Sequence, residues 1–230
     1  MIATITSYRS SDDIETSLRY VEGHAKVLES YGVKKVTSSS NDWVYDDHTY
    51  VVIVESIDKT KIYGGARIQI RSEKLKLPME HAIARIDPNI YNYVDKYGDY
   101  NVAEFCGLFN SKEVAGYGIG SMFVGRIAMA IASDVNIQYL IGLCSPATLR
   151  YSMNVGFEVL TEIGNKGKFY YPKEGLIATS IIINDIQNLP NATEDERSRI
   201  FDLRANPNQT AIESGPKGEL ELIYYNKLHR

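Results

Sequence analysis

The residues of this chain that are best placed to do chemistry lie in the segment 104–121. An apolar run, 102–109, leads to three alternate glycines, Gly116, Gly118 and Gly120, and a helical pattern follows them. A strand-to-helix turn of this kind leaves backbone N–H groups unpaired and aims them at one point, where the helix N-terminus adds partial positive charge. Glycine also lets the chain approach a ligand closely. The segment therefore predicts an anion site, and a pyrophosphate fits it best.

Two familiar nucleotide motifs do not fit these glycines. The dinucleotide-binding fingerprint needs G-x-G-x-x-G, whereas this chain has G-x-G-x-G, and no acidic residue ends the strand that follows at 137–143. The phosphate-binding P-loop needs a lysine after the turn, and none is present. A structural alternative, in which the glycines only permit a tight turn into the helix, stays open.

Alternating strands and helices must position this segment. The patterns predict strands at 2–8, 43–54, 61–70, 102–109, 137–143, 157–163, 176–184 and 219–225, and helices at 14–31, 79–85, 89–97, 118–134, 146–156 and 194–205. No linker or repeat interrupts them, so residues 1–230 are predicted to form one α/β domain with a mixed sheet. Within it, 71–100 is a helical insertion and 185–230 a C-terminal extension that ends in a strand.

Composition narrows the class of protein. The chain has 230 residues, 44% of them hydrophobic, and a net charge of −4. Acidic and basic residues are interspersed, so neither a nucleic-acid-binding face nor a membrane-binding face is expected. Cys106 and Cys144 lie in apolar runs, which predicts reduced buried thiols in a cytoplasmic protein. No signal-peptide or membrane-span pattern is visible, and the four histidines lack partners at ligand spacing, so no metal site is expected.

Two blocks of the sequence carry a resemblance to a known family. Residues 115–120 read A-G-Y-G-I-G and resemble the signature Arg/Gln-x-x-Gly-x-Gly/Ala of the GNAT acyltransferases, with Ala115 in place of Arg or Gln. Residues 145–157 end in Gly156 and Phe157, as the family's next block does. The resemblance implies the GNAT acyl-CoA N-acyltransferase fold, an α/β (α+β mixed-sheet) fold, here with a helical insertion before the central strand.

In that fold two parallel strands part, and the resemblance implies that the donor's pantetheine arm lies between them. The donor implied is acetyl-CoA or a longer acyl-CoA, and the substitution at Ala115 removes a side-chain contact that the family often has. The residues implied to bind the donor are Leu108, Phe109, Asn110, Ala115, Gly116, Tyr117, Gly118, Ile119, Gly120, Ser121 and Ser145.

The reaction implied is N-acetyltransferase-like transfer of an acyl group to the amine of a small molecule, by direct attack in a ternary complex. Glu104, the only carboxylate in the apolar strand, is the expected base, since burial raises its pKa. The N–H of Leu108 is the expected oxyanion donor. The family's acid position is occupied by Ser152, with Tyr151 one residue earlier, so either is a candidate acid. A purely structural role for Glu104 stays open.

The insertion resembles that of the acyl-homoserine-lactone synthases and N-acyl amino acid synthases. Residues 64–67 (G-G-A-R) and 104–108 (E-F-C-G-L) resemble motifs of that branch, but Gly107 stands where the branch has arginine. This resemblance adds acyl carrier protein as a possible donor, and a homodimer is a possible assembly. A rival hypothesis is a GNAT-like module that binds acyl-CoA or another ligand without turnover.

Overall fold

The computed structural model describes residues 1–33 and 41–228, apart from the side chain of Ser121. Within these residues ten strands form one sheet in the order β6-β8-β5-β4-β3-β2-β1-β10-β9, and β7 also pairs with β8. The strands are β1 Ile2–Arg9, β2 Thr49–Ser56, β3 Ile62–Ile70, β4 Val102–Asn110, β5 Tyr139–Cys144, β6 Glu158–Val159, β7 Lys168–Tyr170, β8 Ile177–Ile183, β9 Gln209–Gly215 and β10 Gly218–Asn226. The mixed α/β fold class predicted from the sequence is confirmed.

Helices cover the two faces of this sheet unequally. They are α1 Ile14–Ser30, α2 Pro78–Ile83, α3 Ile90–Asp95, α4 Val124–Asp134, α5 Pro146–Asn154 and α6 Glu194–Ala205. Apolar side chains of α1 pack on one face of the central strands, and those next to and within α2 and α3 pack on β4 and β5. The helices α4 and α6 bury their apolar side chains on the opposite face. The central strands are therefore buried on both faces, as their continuous apolar runs require.

Local sequence explains how helices α1 and α4 begin. The side chain of Asp13 caps α1, because its Oδ1 accepts the N–H of Thr16 at 3.2 Å. Helix α4 begins differently: Gly118 adopts φ +86°, and a π-helical turn, Ile119–Phe123, precedes the regular helix. The predicted helix 118–134 thus contains a widened first turn at the glycine motif.

An ion-pair cluster fastens the insertion to the sheet. The buried guanidinium of Arg71, just after β3, lies 3.2 Å from Glu80 Oε2 and 2.7 Å from Asp99 Oδ1, and it also contacts Asp95. The carboxylate of Glu80 in turn accepts the N–H of Leu77 at 2.8 Å. These contacts hold α2 and α3 against β4 rather than leaving 71–100 as a free loop.

Three sequence predictions differ from the structure. Residues Asp42–Tyr45 form a 3₁₀ turn instead of starting a strand, because Trp43 turns inward and its carbonyl accepts the hydroxyl of Ser10 at 3.0 Å. The strand predicted at 157–163 shortens to Glu158–Val159. Strand β9 lies where the sequence predicts no strand, because its polar residues form one only through pairing with β10. No helix in the described ranges has the length and apolar character needed to cross a bilayer.

Candidate functional site

The central parallel strands separate half-way along their length. Strands β4 and β5 pair only where Val102, Ala103 and Glu104 face residues 139–141, although β4 continues to Asn110 and β5 to Cys144. A cavity of about 280 Å³ fills the gap. It passes through the sheet, because its lining includes α1 on one face and α5 on the other. The lining residues are His24, Leu28, Pro78, Glu104, Phe105, Cys106, Gly107, Leu108, Leu143, Cys144, Ser145, Thr148, Ser152, Tyr171, Pro172, Ile177, Ala178 and Ile181.

Glu104 supplies the cavity's carboxyl group. Its side chain is 3% exposed, and its Oε2 accepts the N–H of Met79, in the first turn of α2, at 2.6 Å. Burial raises its pKa from 4.5 to about 8, against the opposing effects of the Met79 hydrogen bond and of the positive charge of Arg67. A carboxyl group with this pKa changes charge near neutral pH, which is what proton transfer from an amine requires.

A bulge in β4 brings Leu108 into the cavity. Arg67 of β3 faces Cys106 and Gly65 faces Phe109, so β4 has one residue more than β3 between these pairs. Gly107 carries the irregularity with φ +63°. After the bulge the side chain of Phe109 lies on the α1 side, and Phe109 is outside the cavity lining that the described residues form.

The glycine turn presents fewer free amides than the sequence suggested. The N–H of Gly120 donates to Asn110 Oδ1 at 3.2 Å, and the N–H of Tyr117 donates to Val114 O at 3.2 Å. Within the part of the chain that the structure describes, the N–H groups of Gly116 and Gly118 have no hydrogen-bond partner. Both glycines have φ near +90°, and their N–H groups are among those that the turn leaves without a partner.

The other residues predicted to bind a donor have distinct environments. Ala115 and Tyr117 are half-buried, Ile119 is buried, and Ser121 belongs to the π-helical turn. A Cβ on Gly120 would overlap the Asn110 side chain, so the motif's last glycine is required by packing of the turn against β4. These residues form the wall between the end of β4 and the start of α4.

A lysine absent from the sequence prediction lies beside this turn. Lys217, in the turn between β9 and β10, donates its N–H to Gly116 O at 2.8 Å. Its side-chain stem packs on Gly116, within 2.8 Å of the place a Cβ would occupy. Lys217 thereby brings positive charge to the turn whose own first position is Ala115. No local sequence signal links two residues a hundred positions apart.

The two candidate acids are placed differently. Ser152 lines the cavity and donates its hydroxyl to Thr148 O at 3.2 Å, whereas Tyr151 is half-buried and outside the lining that the described residues form. Ser145, at the start of α5, also lines the cavity. Of the predicted catalytic set, the fold therefore brings Glu104, Leu108 and Ser152 together around one space.

Both cysteines line the same cavity as unreactive thiols. Burial raises the pKa of Cys106 to about 12 and that of Cys144 to about 11. Neither forms a disulfide. At neutral pH both are protonated, which makes them poor nucleophiles.

His24 is a lining residue that the sequence analysis left without a role. It is 5% exposed on α1, and burial lowers its pKa to about 4, so the imidazole is neutral. The spacing of Tyr20, His24 and Leu28 at i, i+4 and i+8 is the signal that places them on one helix face. In the described residues no three His, Cys, Asp or Glu side chains cluster as a metal site would need.

The strand arrangement and the glycine turn identify the fold. A central pair of parallel strands that part, followed by a glycine turn into a helix, is the arrangement expected for the GNAT acyltransferases, and the chain has the GNAT fold. No protein-family model and no curated protein matches its sequence.

Solved structures support this assignment of the fold. FeeM, an N-acyl amino acid synthase from uncultured soil microbes, superposes with a TM-score of 0.61 at 13% identity, over 85% of this chain and 97% of that one. MesI, a CoA-dependent acyl-homoserine lactone synthase, gives 0.55 at 13% identity over 87% and 95%. An acyl-CoA N-acyltransferase from Pseudomonas aeruginosa gives 0.52 at 12% over 78% and 97%. At such identities the likeness establishes the fold alone.

Proposed function

We propose that this chain transfers an acyl group from an acyl-CoA thioester to the amine of a small molecule. The observation that carries the proposal is the cavity between the parted strands, which brings a buried carboxyl group and the backbone of Leu108 to one space. The cavity is lined by α1 on one face of the sheet and by α5 on the other, so donor and acceptor can occupy its two sides and meet inside it.

The donor is held mainly by backbone groups. Beyond Glu104, the edge of β4 that faces β5 has no strand beside it, so pantetheine amides can pair there as an added strand does. The diphosphate then reaches the free N–H groups of Gly116 and Gly118 at the start of the helical turn, where partial positive charge favours anions. Lys217 adds the charge that Ala115 does not supply.

The chemistry follows from the two groups at the cleft. The amine nitrogen attacks the thioester carbon, its proton passes to the ionised Glu104, and the carbonyl oxygen, as it becomes negative, accepts the N–H of Leu108. The carbon–sulfur bond then breaks and CoA leaves as a thiolate, which takes a proton from water or from the hydroxyl of Ser152. Since both cavity thiols are protonated, transfer is direct rather than through an acyl-cysteine.

The side of the cavity formed by β5 and β8 indicates where the acyl chain lies. Leu143, Ile177, Ala178 and Ile181 make this wall apolar, and Pro78 of the insertion adds a further apolar lining residue. An apolar wall favours a fatty acyl chain over acetyl, because burying the longer chain removes more apolar surface from water. Transfer from acyl carrier protein and a homodimeric assembly stay predictions.

Binding without turnover is the second candidate function. Ser152 at the family's acid position favours it, because an aliphatic hydroxyl is a weaker proton donor than a tyrosine phenol. One experiment separates the two. A thermal-shift panel of CoA, acetyl-CoA, decanoyl-CoA and palmitoyl-CoA is followed by thiol-release assays with small amines. A ligand at 100 times its Kd adds about 2.7 kcal/mol, which raises Tm by roughly 5–10 °C in a chain of this size.

The results distinguish the transferase from the binding module. A shift with the acyl-CoAs together with amine-dependent thiol release supports the transferase. A shift with no release for any amine supports the binding module. The absence of any shift contradicts both, since both need the CoA site. Decanoyl-CoA is expected to shift Tm more than acetyl-CoA.

A further inference from the structure

A tyrosine of α1 reaches across to the bulge of β4. The hydroxyl of Tyr20 donates a hydrogen bond of 2.6 Å to the carbonyl oxygen of Gly107, a residue 87 positions away. A Cβ at position 107 would lie well within 3.0 Å of this hydroxyl, closer than real Cβ atoms come to other atoms. The hydroxyl thus occupies the space that a side chain at position 107 would need.

The ring that carries this hydroxyl is held on several sides. Tyr20 is fully buried, and its ring meets the rings of Trp43 and Phe109 edge-on, with centroids 5.7 and 5.3 Å away. Burial raises the pKa of Tyr20, so the phenol stays protonated and remains a donor. A rigid ring with one fixed donor places the Gly107 carbonyl in a defined direction.

That direction fixes the next N–H group as well. The Gly107 carbonyl and the Leu108 N–H belong to one peptide unit, which is planar and trans, so the two bonds point in opposite directions. Because the hydroxyl draws the carbonyl toward α1, the Leu108 N–H points away from α1. Position 107 has no side chain, and its φ of +63° lets this peptide rotate away from ordinary strand geometry.

We propose that Tyr20 is a positioning residue, whose hydroxyl orients the Gly107–Leu108 peptide so that the Leu108 N–H faces the thioester carbonyl in the cleft. This role rests on the acyl transfer proposed above. Tyr20 itself touches neither donor nor acceptor atoms; it acts through the backbone of β4. The fixed peptide supplies a preorganised donor, which is the form of electrostatic stabilisation that lowers a barrier most.

The variant that isolates this role is Tyr20→Phe, which keeps the ring in its aromatic cluster and removes only the hydroxyl. Tyr8→Phe is the matched control, because Tyr8 is also a buried tyrosine. Its hydroxyl accepts a hydrogen bond from Ser17 of α1 instead of bonding to the β4 bulge. Both variants lose one buried hydroxyl. A merely structural role for Tyr20 predicts similar losses of Tm in the two and similar kinetics.

The first measurement needs no amine. The probe is the ketone analogue of decanoyl-CoA in which CH₂ replaces sulfur, labelled with ¹³C at the carbonyl. A hydrogen bond to that carbonyl moves its resonance downfield on binding, and Tyr20→Phe is expected to lose at least half of the displacement, whereas Tyr8→Phe keeps it. With decanoyl-CoA and an amine that turns over, kcat of Tyr20→Phe is expected to fall roughly 10- to 100-fold with a KM change below about 3-fold.

The outcomes separate this inference from the function on which it rests. If the wild-type chain does not bind the ketone analogue, the proposed function fails and the inference fails with it. If the analogue binds but shows no downfield displacement, or if Tyr20→Phe keeps the whole displacement and the wild-type kcat, the positioning role is wrong while the proposed function stands.

Discussion

Substituting Glu104 by Gln tests the proposed base in two ways: the free energy of unfolding should increase at high pH, and kcat should decrease. Gln has nearly the same shape, and its amide oxygen can still accept the Met79 N–H that now bonds Oε2. The substitution therefore keeps the packing and removes the titrating proton. It also removes the cost of ionising a carboxyl group that is 3% exposed.

The size of that cost follows from the pKa. Burial raises the pKa of Glu104 from 4.5 to about 8, so the folded chain favours the neutral carboxyl group. The neutral carboxyl group of Glu104 therefore contributes to the free energy of unfolding. This contribution is fully present below pH 4.5 and is lost as the pH rises to about 8. One pKa unit corresponds to about 1.4 kcal/mol, which bounds the loss at roughly 5 kcal/mol.

We therefore expect Glu104→Gln to match the wild type in the free energy of unfolding near pH 4.5 and to exceed it by up to roughly 5 kcal/mol at pH 8. Urea unfolding at several pH values measures the difference, and taking the difference cancels other groups that titrate in this range. The same variant is expected to lose about 10²- to 10⁴-fold in kcat, with its affinity for CoA unchanged. In the wild type kcat/KM rises with pH, is half-maximal near pH 8 and levels off about one pH unit higher, and this rise disappears in the variant.

Glu113→Gln is the control, because Glu113 is an exposed carboxylate paired with Lys61 outside the cleft. It is expected to change neither the rate nor the pH dependence of stability. A Glu104→Gln chain that keeps the wild-type rate would refute the role of base. A stability difference independent of pH would refute the raised pKa on which that role depends.

Three further outcomes are expected from the structure. Lys217→Ala should raise the KM for acyl-CoA about 2- to 5-fold at low salt and less at high salt, and an unchanged KM at low salt would remove Lys217 from the anion site. Cys144→Ser should keep kcat within about 3-fold, because a thiol with a pKa of about 11 forms no acyl intermediate; an acyl-cysteine trapped and seen by mass spectrometry would contradict this. Arg126→Met should lower the free energy of unfolding by about 3–5 kcal/mol, since it leaves the buried carboxylate of Glu196 without its cation, and an unchanged urea midpoint would disprove that pairing.

The sequence predicted the parts of the site that depend on local order. The glycines open a turn into α4, and their unusual backbone angles are a local requirement that glycine alone meets easily. Glu104 lies in a strand because its neighbours are apolar without interruption, and the same run predicts its burial. The fold class followed from the alternation of such segments along the chain.

The sequence did not predict contacts between distant segments. Three residues reach the site from elements that are distant in sequence from 102–121. They are Tyr20, which donates a hydrogen bond to the Gly107 carbonyl, His24, which lines the cavity, and Lys217, which packs on Gly116. Strand β9 was missed because its polar residues have little strand preference of their own, and pairing with β10 decides their conformation.

The amino-acid sequence by itself determined a strand with one carboxylate, a glycine turn and a helix. Hydrophobic periodicity and the conformational freedom of glycine are local properties, which depend on residues only a few positions apart. Only the tertiary structure decided that β4 and β5 part after Glu104, and that α1, α2, α5 and the last hairpin surround the gap and the glycine turn. Strand separation depends on what packs on each side of a sheet. That packing is a property of the whole chain, which no single segment encodes.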